Sequence, residues 1–177
     1  MSDFTEVPLL VVFTNFTRYT EQIDRLEDAE VARVLAAWYA FAGRAMRAAG
    51  GRVVKFIGDA MLAVFPAGHV DAGVLALLDF KDATDRFMAE QGWDCRLVAK
   101  AHFGAVAAGD FGADEDRRYD VLGKTVNITV RLQSPGVALS AEAFRQLGGD
   151  MRQRFKKHTP PITYIRAQDA HRPRWAK

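Results

Sequence analysis

Residues 52–65, from Arg52 to Phe65, read as two short apolar strands folded about Gly58-Asp59, with a long helical pattern on either side. Before the hairpin, Asp28 to Ala49 places Val31, Val34, Leu35, Trp38, Phe41, Ala42, Ala45 and Met46 at helical spacing, with Asp28 as the expected N-cap and Gly50-Gly51 as the stop. After it, Val70 to Met88 repeats the pattern with Val74, Leu77, Leu78, Phe87 and Met88, closed by Gln91-Gly92. Pro8 to Phe13 is a short apolar run of the kind that forms a buried strand, and Arg96 to Phe111 is β-rich and broken by glycine. A hairpin between two helices excludes a doubly wound parallel sheet, where each strand would alternate with a helix. The order β-α-β-β-α-β is the ferredoxin-like arrangement of an α+β fold.

Further elements follow toward the C-terminus. Val137 to Leu139 reads as a short strand, Ser140 as an N-cap, Ala141 to Leu147 as a helix, and Ile162 to Ile165 as a strand closing the sheet. Gly112 to Arg118 is charged and turn-like, and Ala167 to Lys177 is polar and expected to fray. Nothing divides the chain, so residues 1–177 are expected to form a single domain.

Bulk properties narrow the function classes. With 49% hydrophobic and 26% charged residues, the composition is that of a globular domain. A formal charge of +2 gives no electrostatic footprint for nucleic acid or an anionic membrane. No apolar run approaches the roughly 20 residues a membrane helix needs. The N-terminus is acidic and lacks the basic region of a secretory signal. One cysteine, Cys95, permits no internal disulfide, and with these features makes the cytoplasm the expected compartment. His69, His102, His158 and His171 are scattered without metal-ligand spacing and read as surface or packing residues.

The stretch Tyr119 to Leu132 carries more information. An acidic residue and a glycine turn lead into an amphipathic segment, with the helix expected over Val126 to Leu132. Asn127 and Arg131 lie four residues apart, so on a helix they project together. Val126 and Val130, with Leu122 and Leu132, are expected to face the interior. Alone, a polar pair beside an apolar stripe is the ordinary look of a solvated face. Two further segments change that reading: Phe13-Thr14-Asn15-Phe16-Thr17-Arg18-Tyr19-Thr20, and Lys55 to Phe65.

In order and spacing, these three blocks resemble the signature blocks of the class III nucleotide cyclases, the catalytic domain of adenylate and guanylate cyclases. The resemblance runs from about Leu9 to Ile165. It implies cyclisation of a nucleoside triphosphate, in which the ribose 3′-hydroxyl attacks the α-phosphorus and pyrophosphate leaves. It also implies two divalent cations, Mg²⁺ or Mn²⁺, held by two aspartates. Asp59 occupies the second aspartate position, where the bland alternative is a turn aspartate bonded to its own backbone. The first position is Asn15, a neutral isostere, and the backbone carbonyl of Phe16 stands beside it as a further ion ligand. An amide oxygen can ligate a hard cation but lacks the charge that holds two ions together.

Lys55 and Asp120 match the base-selecting pair of adenylate cyclases; a lysine donor and a carboxylate acceptor complement the adenine edge. The competing readings are an edge-strand lysine and a turn residue. By the resemblance, Asn127 orients the ribose and Arg131 stabilises charge on the α-phosphate. Lys156 stands where the family holds the terminal phosphates, five residues before Pro161, with Lys157 in place of the usual glycine. The family works as a head-to-tail dimer, so a homodimer with two interfacial sites is expected, with ATP as substrate. An upstream sensor domain or protein is a possible partner. Two alternatives stay open: a nucleotide-binding or dimerisation module without full activity, favoured by Asn15, and a cyclase acting on another triphosphate. Gly148-Gly149-Asp150 lacks the Glu-Phe that follows it in diguanylate cyclases, and residues 104–109 are no phosphate loop but a sign of close packing.

Overall fold

The computed structural model describes residues 4–159 and 162–169. In chain order its elements are β1 (Phe4–Thr17), α1 (Tyr19–Ile23), α2 (Asp28–Ala48), β2 (Arg52–Ile57), β3 (Ala60–Pro66), α3 (Val70–Glu90), β4 (Arg96–Phe111) and β5 (Arg118–Leu122). There follow α4 (Lys124–Arg131), β6 (Val137–Leu139), α5 (Ala141–Arg145), α6 (Gly149–Arg152), β7 (Phe155–His158) and β8 (Thr163–Arg166). The strands lie in the order β2-β3-β1-β4-β6-β8-β7, with β5 paired to β4. The antiparallel half β2-β3-β1-β4 is the ferredoxin-like core, as expected. β6 joins it parallel to β4, and β8 and β7 extend the sheet.

Alternation along β1 assigns its two faces. Leu10, Val12 and Phe16 point to one side and join Met61, Phe65 and Leu97 beneath α2 and α3. Trp38 is fully buried there, 4.9 Å from the Phe16 ring, and its indole Nε1–H donates to Thr84 Oγ1 at 3.3 Å. That bond satisfies a polar atom that would otherwise be desolvated at a cost. The buried Lys81–Asp85 pair ties α3 to itself, while Asp85 accepts from the Leu97 N–H at 2.8 Å and fixes the entry of β4. Arg166 clamps β8 onto α3 through two bonds to Asp82, at 2.6 and 2.7 Å. That fork holds the Asp82 carboxyl below its ordinary pKa.

The opposite face carries a smaller cluster built from Leu9, Val11, Leu62, Val64, Val106 and Val121. α4 packs onto it. The approach is close because Gly104 has no side chain: a Cβ there would stand 2.7 Å from Thr125 Oγ1. Thr125 Oγ1 donates to the Ala105 carbonyl at 2.6 Å, and Thr129 is fully buried one turn further on.

Several sequence expectations need correction. The buried face of α4 is Thr125 and Thr129, whereas Leu122 and Val130 are exposed and Val126 and Leu132 half-buried. The helix sits on glycine, where a small branched residue with a hydroxyl fits between strand and helix. Arg118 belongs to a strand, not a turn, since pairing with the far end of β4 outweighs its charge. The basic residues Lys156 and Lys157 also lie in a strand, β7. Asp28 is the first helical residue of α2, with Glu27 as a cap that makes no side-chain bond. Ser140 does cap α5, accepting from the Ala143 N–H at 3.1 Å. Of the tail expected to fray, Asp169 is buried and accepts from the Val137 N–H at 2.9 Å, while residues 170–177 lie outside the described residues.

Candidate active site

The site residues gather on the face that α2 and α3 leave open. Phe13 and Asn15 point there from β1, because they alternate with the core residues Val12, Thr14 and Phe16. Phe13 pairs with Lys100 of β4, and Asn15 pairs with Val98. Lys100 therefore shares this face and neighbours Asn15 diagonally across the ladder.

Lys55 reaches the same face by an irregularity. β2 pairs regularly with β3 at Arg52↔Val64 and Val53↔Ala63, then resumes at Lys55↔Leu62. The extra residue is Val54, a β-bulge. Leu62 belongs to the open face, so the bulge sets both Val54 and Lys55 on that side. Without it, alternation would aim Lys55 into the α2–α3 core. β5 then curls back over β2: the Arg52 guanidinium lies 3.6 Å from the centre of the Tyr119 ring. Asp120 meets Lys55 at 2.5 Å, and its other oxygen accepts from the Val121 N–H at 2.8 Å. With only one oxygen bonded to Lys55, the pair presents a donor and an acceptor side by side, its side chains 41% and 23% exposed.

A cavity of about 360 Å³ opens beside this pair. Phe13, Ile57, Leu62, Val126 and Val130 give it apolar walls, and Lys55 and Asn127 are its polar residues. That combination of apolar walls and few polar groups is the usual make-up of a small-molecule site. A second cavity, of about 570 Å³, is lined by Asn15, Lys100, Arg131, Gln133 and Ser134 among others. One chain thus brings Lys55, Asp120 and Asn127 together, and separately Asn15 with Arg131. Lys156 is not brought to either cavity; β7 lies three strands beyond β4, and Pro161, five residues on, is outside the described residues.

Asp59 stands in the two-residue turn of the hairpin, after Gly58, whose φ of 56° suits the turn. Its Oδ2 accepts from the Phe16 N–H at 2.9 Å, which ties the turn to the end of β1. The Tyr39 hydroxyl donates to the Gly58 carbonyl at 2.5 Å and steadies the same turn from α2. Burial, and then the charge of Asp59, raise the Tyr39 pKa, so the phenol stays protonated as this bond requires.

Asn15 is the conspicuous member. Its Oδ1 is buried and has no hydrogen-bond partner among the described residues. A buried acceptor left open costs stability, about 1–3 kcal/mol, and marks a place where a donor or a cation belongs. The amide oxygen of Asn15 and the carboxylate of Asp59 are hard donors that suit one divalent ion. Among the described residues no cluster of three His, Cys, Asp or Glu side chains accompanies them. The donor set fits a single cation better than a pair, since only one carboxylate opposes the charges.

Sequence reasoning missed Lys100 and Tyr39. Tyr39 lay in a helix read only for its apolar stripe, and Lys100 is a lone lysine in an apolar strand. A lone cation in an otherwise apolar strand was the available signal. Cys95 is buried beside Asp94, and its thiol is pushed up to about 11, which suits a packing role.

The chain matches, over residues 4–167, the family described as the adenylate and guanylate cyclase catalytic domain, and it belongs to that family. An adenylate cyclase of Anabaena cylindrica is 28% identical over 133 residues, covering 71% of this chain and 26% of the relative. The chain therefore spans about a quarter of that relative's length. Among solved structures, a bacterial light-regulated adenylyl cyclase superposes with a TM-score of 0.82 at 20% identity, covering 96% of this chain and 54% of the other. The adenylyl cyclase CyaB from P. aeruginosa gives 0.79 at 17% identity, covering 92% and 94%. These two likenesses establish the fold. Members of this family bind nucleoside triphosphates, act as dimers and use divalent metals generally. No helix among the described residues is long and apolar enough to cross a membrane.

The Asp59–Phe16 bond leads to a separable prediction. Asp59→Ala leaves a backbone N–H without its partner and should lower unfolding stability by about 1–3 kcal/mol in metal-free buffer. Asp59→Asn keeps an acceptor and should cost less than half of that. Urea denaturation of both variants in EDTA measures the difference; equal midpoints for the two would show that the bond does not hold the turn.

Proposed function

We propose that this chain is the catalytic domain of an adenylate cyclase, converting ATP to 3′,5′-cyclic AMP and pyrophosphate. The observation that carries the base assignment is the Lys55–Asp120 pair, 2.5 Å apart at a cavity that also holds Asn127. Adenine presents an acceptor at N1 and a donor at N6, which the Lys55 ammonium and the free acceptor capacity of Asp120 complement. Guanine reverses that polarity. In the reaction the 3′-oxygen forms a bond to the α-phosphorus, the bond to the bridging oxygen of the β-phosphate breaks, and the 3′-hydroxyl proton leaves to water. Asn127 holds the ribose so that the 3′-oxygen lies in line. Arg131 places its planar fork on the α-phosphate oxygens as charge builds there. Asn15, Asp59 and the Phe16 carbonyl would hold the divalent ion, which supplies charge neutralisation at the phosphates.

Two chains are needed for one complete site. The open face exposes Ile57 (62%), Leu122 (45%), Ile128 (44%) and Val130 (39%), apolar surface that a second copy would cover. In a head-to-tail homodimer, Asn15 and Asp59 of one chain face Lys55, Asp120, Asn127 and Arg131 of its partner, giving two sites. Lys156 contributes to the terminal phosphates in this reading. The lone buried Cys95 agrees with a cytoplasmic setting, and the greater length of the relatives leaves room for a sensor domain beside the catalytic one.

The neutral oxygen of Asn15 favours a second reading, a nucleotide-binding module that cyclises poorly. One assay separates the two. Incubation with each of the four common triphosphates and Mn²⁺, with products identified by mass, should yield cyclic AMP slowly. Asn15→Asp should raise turnover at low Mg²⁺ by at least about tenfold, the equivalent of one contact of about 1.4 kcal/mol in the transition state. No cyclic product from either chain would sink the enzymatic reading.

Base choice rests on two residues. Exchanging Lys55 for Glu and Asp120 for Ser should shift the ratio of ATP to GTP binding toward GTP by tenfold or more. An unchanged ratio would remove the pair from that role.

Complementation tests the dimer. Asp59→Ala and Arg131→Ala should each be inactive alone, while an equimolar mixture regains about a quarter of parental activity, because half the dimers are mixed and each holds one intact site. A mixture as inactive as its components would argue against shared sites.

A further inference from the structure

Asn15 and Lys100 share one cavity, and together, one neutral and one cationic, they differ from the carboxylates that hold two metal ions. Where the family resemblance calls for a carboxylate, this chain has a neutral amide with an open, buried oxygen. Beside it on the same face, diagonally across the β1–β4 ladder, stands the ammonium of Lys100. Diagonal neighbours on an antiparallel pair are about 7–8 Å apart, within the span of a lysine side chain. The Lys100 Nζ donates to the Val130 carbonyl at 2.9 Å and lies 5.8 Å from the centre of the Phe13 ring. An ammonium has three donors, so two remain after the bond to Val130. No carboxylate among the described residues makes an ion pair with it; its bond is to the Val130 carbonyl.

We propose that Lys100 is a phosphate-binding residue, its ammonium supplying beside Asn15 part of the positive charge that a second metal ion supplies elsewhere in the family. The cavity then accepts a polyphosphate with one divalent ion or with none. The two positions explain each other. An aspartate at 15 would pair with Lys100 and repel phosphate, whereas asparagine leaves the ammonium free and adds an acceptor for it. Capping the last turn of α4 through Val130 is the competing role for Lys100, since the final carbonyls of a helix lack partners. A cap serves the helix equally with and without metal, and this separates the two roles. The inference rests on the cyclase reading in taking Asn15 for the phosphate end of the site.

The test is calorimetric binding of inorganic tripolyphosphate to the whole chain, in EDTA and again in excess Mg²⁺. The parent should bind in EDTA. Lys100→Met should weaken that binding by about tenfold or more, the usual scale for a charge-assisted bond, and weaken the Mg²⁺-loaded probe much less. Lys100→Arg should restore binding in EDTA. Asn15→Asp should also lose the metal-free binding selectively, and this arm decides the matter if Lys100→Met fails to fold. Absence of parental binding in EDTA overturns the proposal, as do equal losses in both buffers, an unaffected Lys100→Met, or full metal-free binding by Asn15→Asp. Its failure is distinct from failure of the cyclase reading: cyclic AMP formation with Lys100→Met binding like the parent leaves the enzyme without this residue. Lys100-dependent binding without any cyclic product leaves a polyphosphate site without the enzyme.

Discussion

The long antiparallel ladder between β1 and β4, from Phe4↔Gly109 to Thr17↔Arg96, fixes which side chains reach the site. Side chains alternate across a sheet, so a slip of one residue would carry Phe13 and Asn15 into the core and bring Val12 and Thr14 out. The register is held from both sides. The helix face demands Leu10, Val12 and Phe16 beneath Trp38, and the open face has its own cluster around Val11 and Leu62. β3 then pairs with the other edge of β1, which brings the Gly58-Asp59 turn to the end of β1 and closes the Asp59–Phe16 bond. Everything proposed about catalysis depends on that arrangement, because it sets the two oxygen donors of Asn15 and Asp59 at one end of the same strand.

Burial is distributed unequally between the two faces, and function follows the poorer side. Two long helices cover one face; the other has α4, of eight residues. α4 is held by its close approach at Gly104, two threonines and Val126, so Val130 and Ile128 remain available to a second surface. Catalytic side chains need access to substrate and solvent, and a sheet face packed on both sides would deny it.

The proposed site differs in charge from what the family resemblance implies. Asn15 is neutral where the resemblance implies a carboxylate, and the ammonium of Lys100 lines the same cavity. The formal charge of the chain is close to neutral, so the local change is invisible in composition. It becomes visible only when β1 and β4 are laid in register.

Much of the fold was legible in the sequence. The hairpin, both long helices, the ferredoxin-like order and the Ser140 cap follow from periodicity, glycine turns and capping chemistry, which act over a few residues. The three motif blocks were equally legible and named Asn15, Lys55, Asp59, Asp120, Asn127 and Arg131 before any coordinates. What the sequence did not contain locally was pairing. Arg118 read as part of a charged turn and β7 went unread as a strand, because their strand character comes from pairing with β4 and β8. The inward face of α4 was only partly read: Val126 does meet the apolar cluster, but the close approach at Gly104 buries Thr125 and Thr129 and leaves Val130 and Leu122 outside. The bulge at Val54 is the sharpest case: strict alternation points Lys55 away from the site, and one unpaired residue in the β2–β3 ladder turns it back. Local chemistry thus determined which elements and which reactive residues this protein has, while long-range pairing decided which of them meet, because hydrogen-bond register is a property of two strands and is written in neither alone.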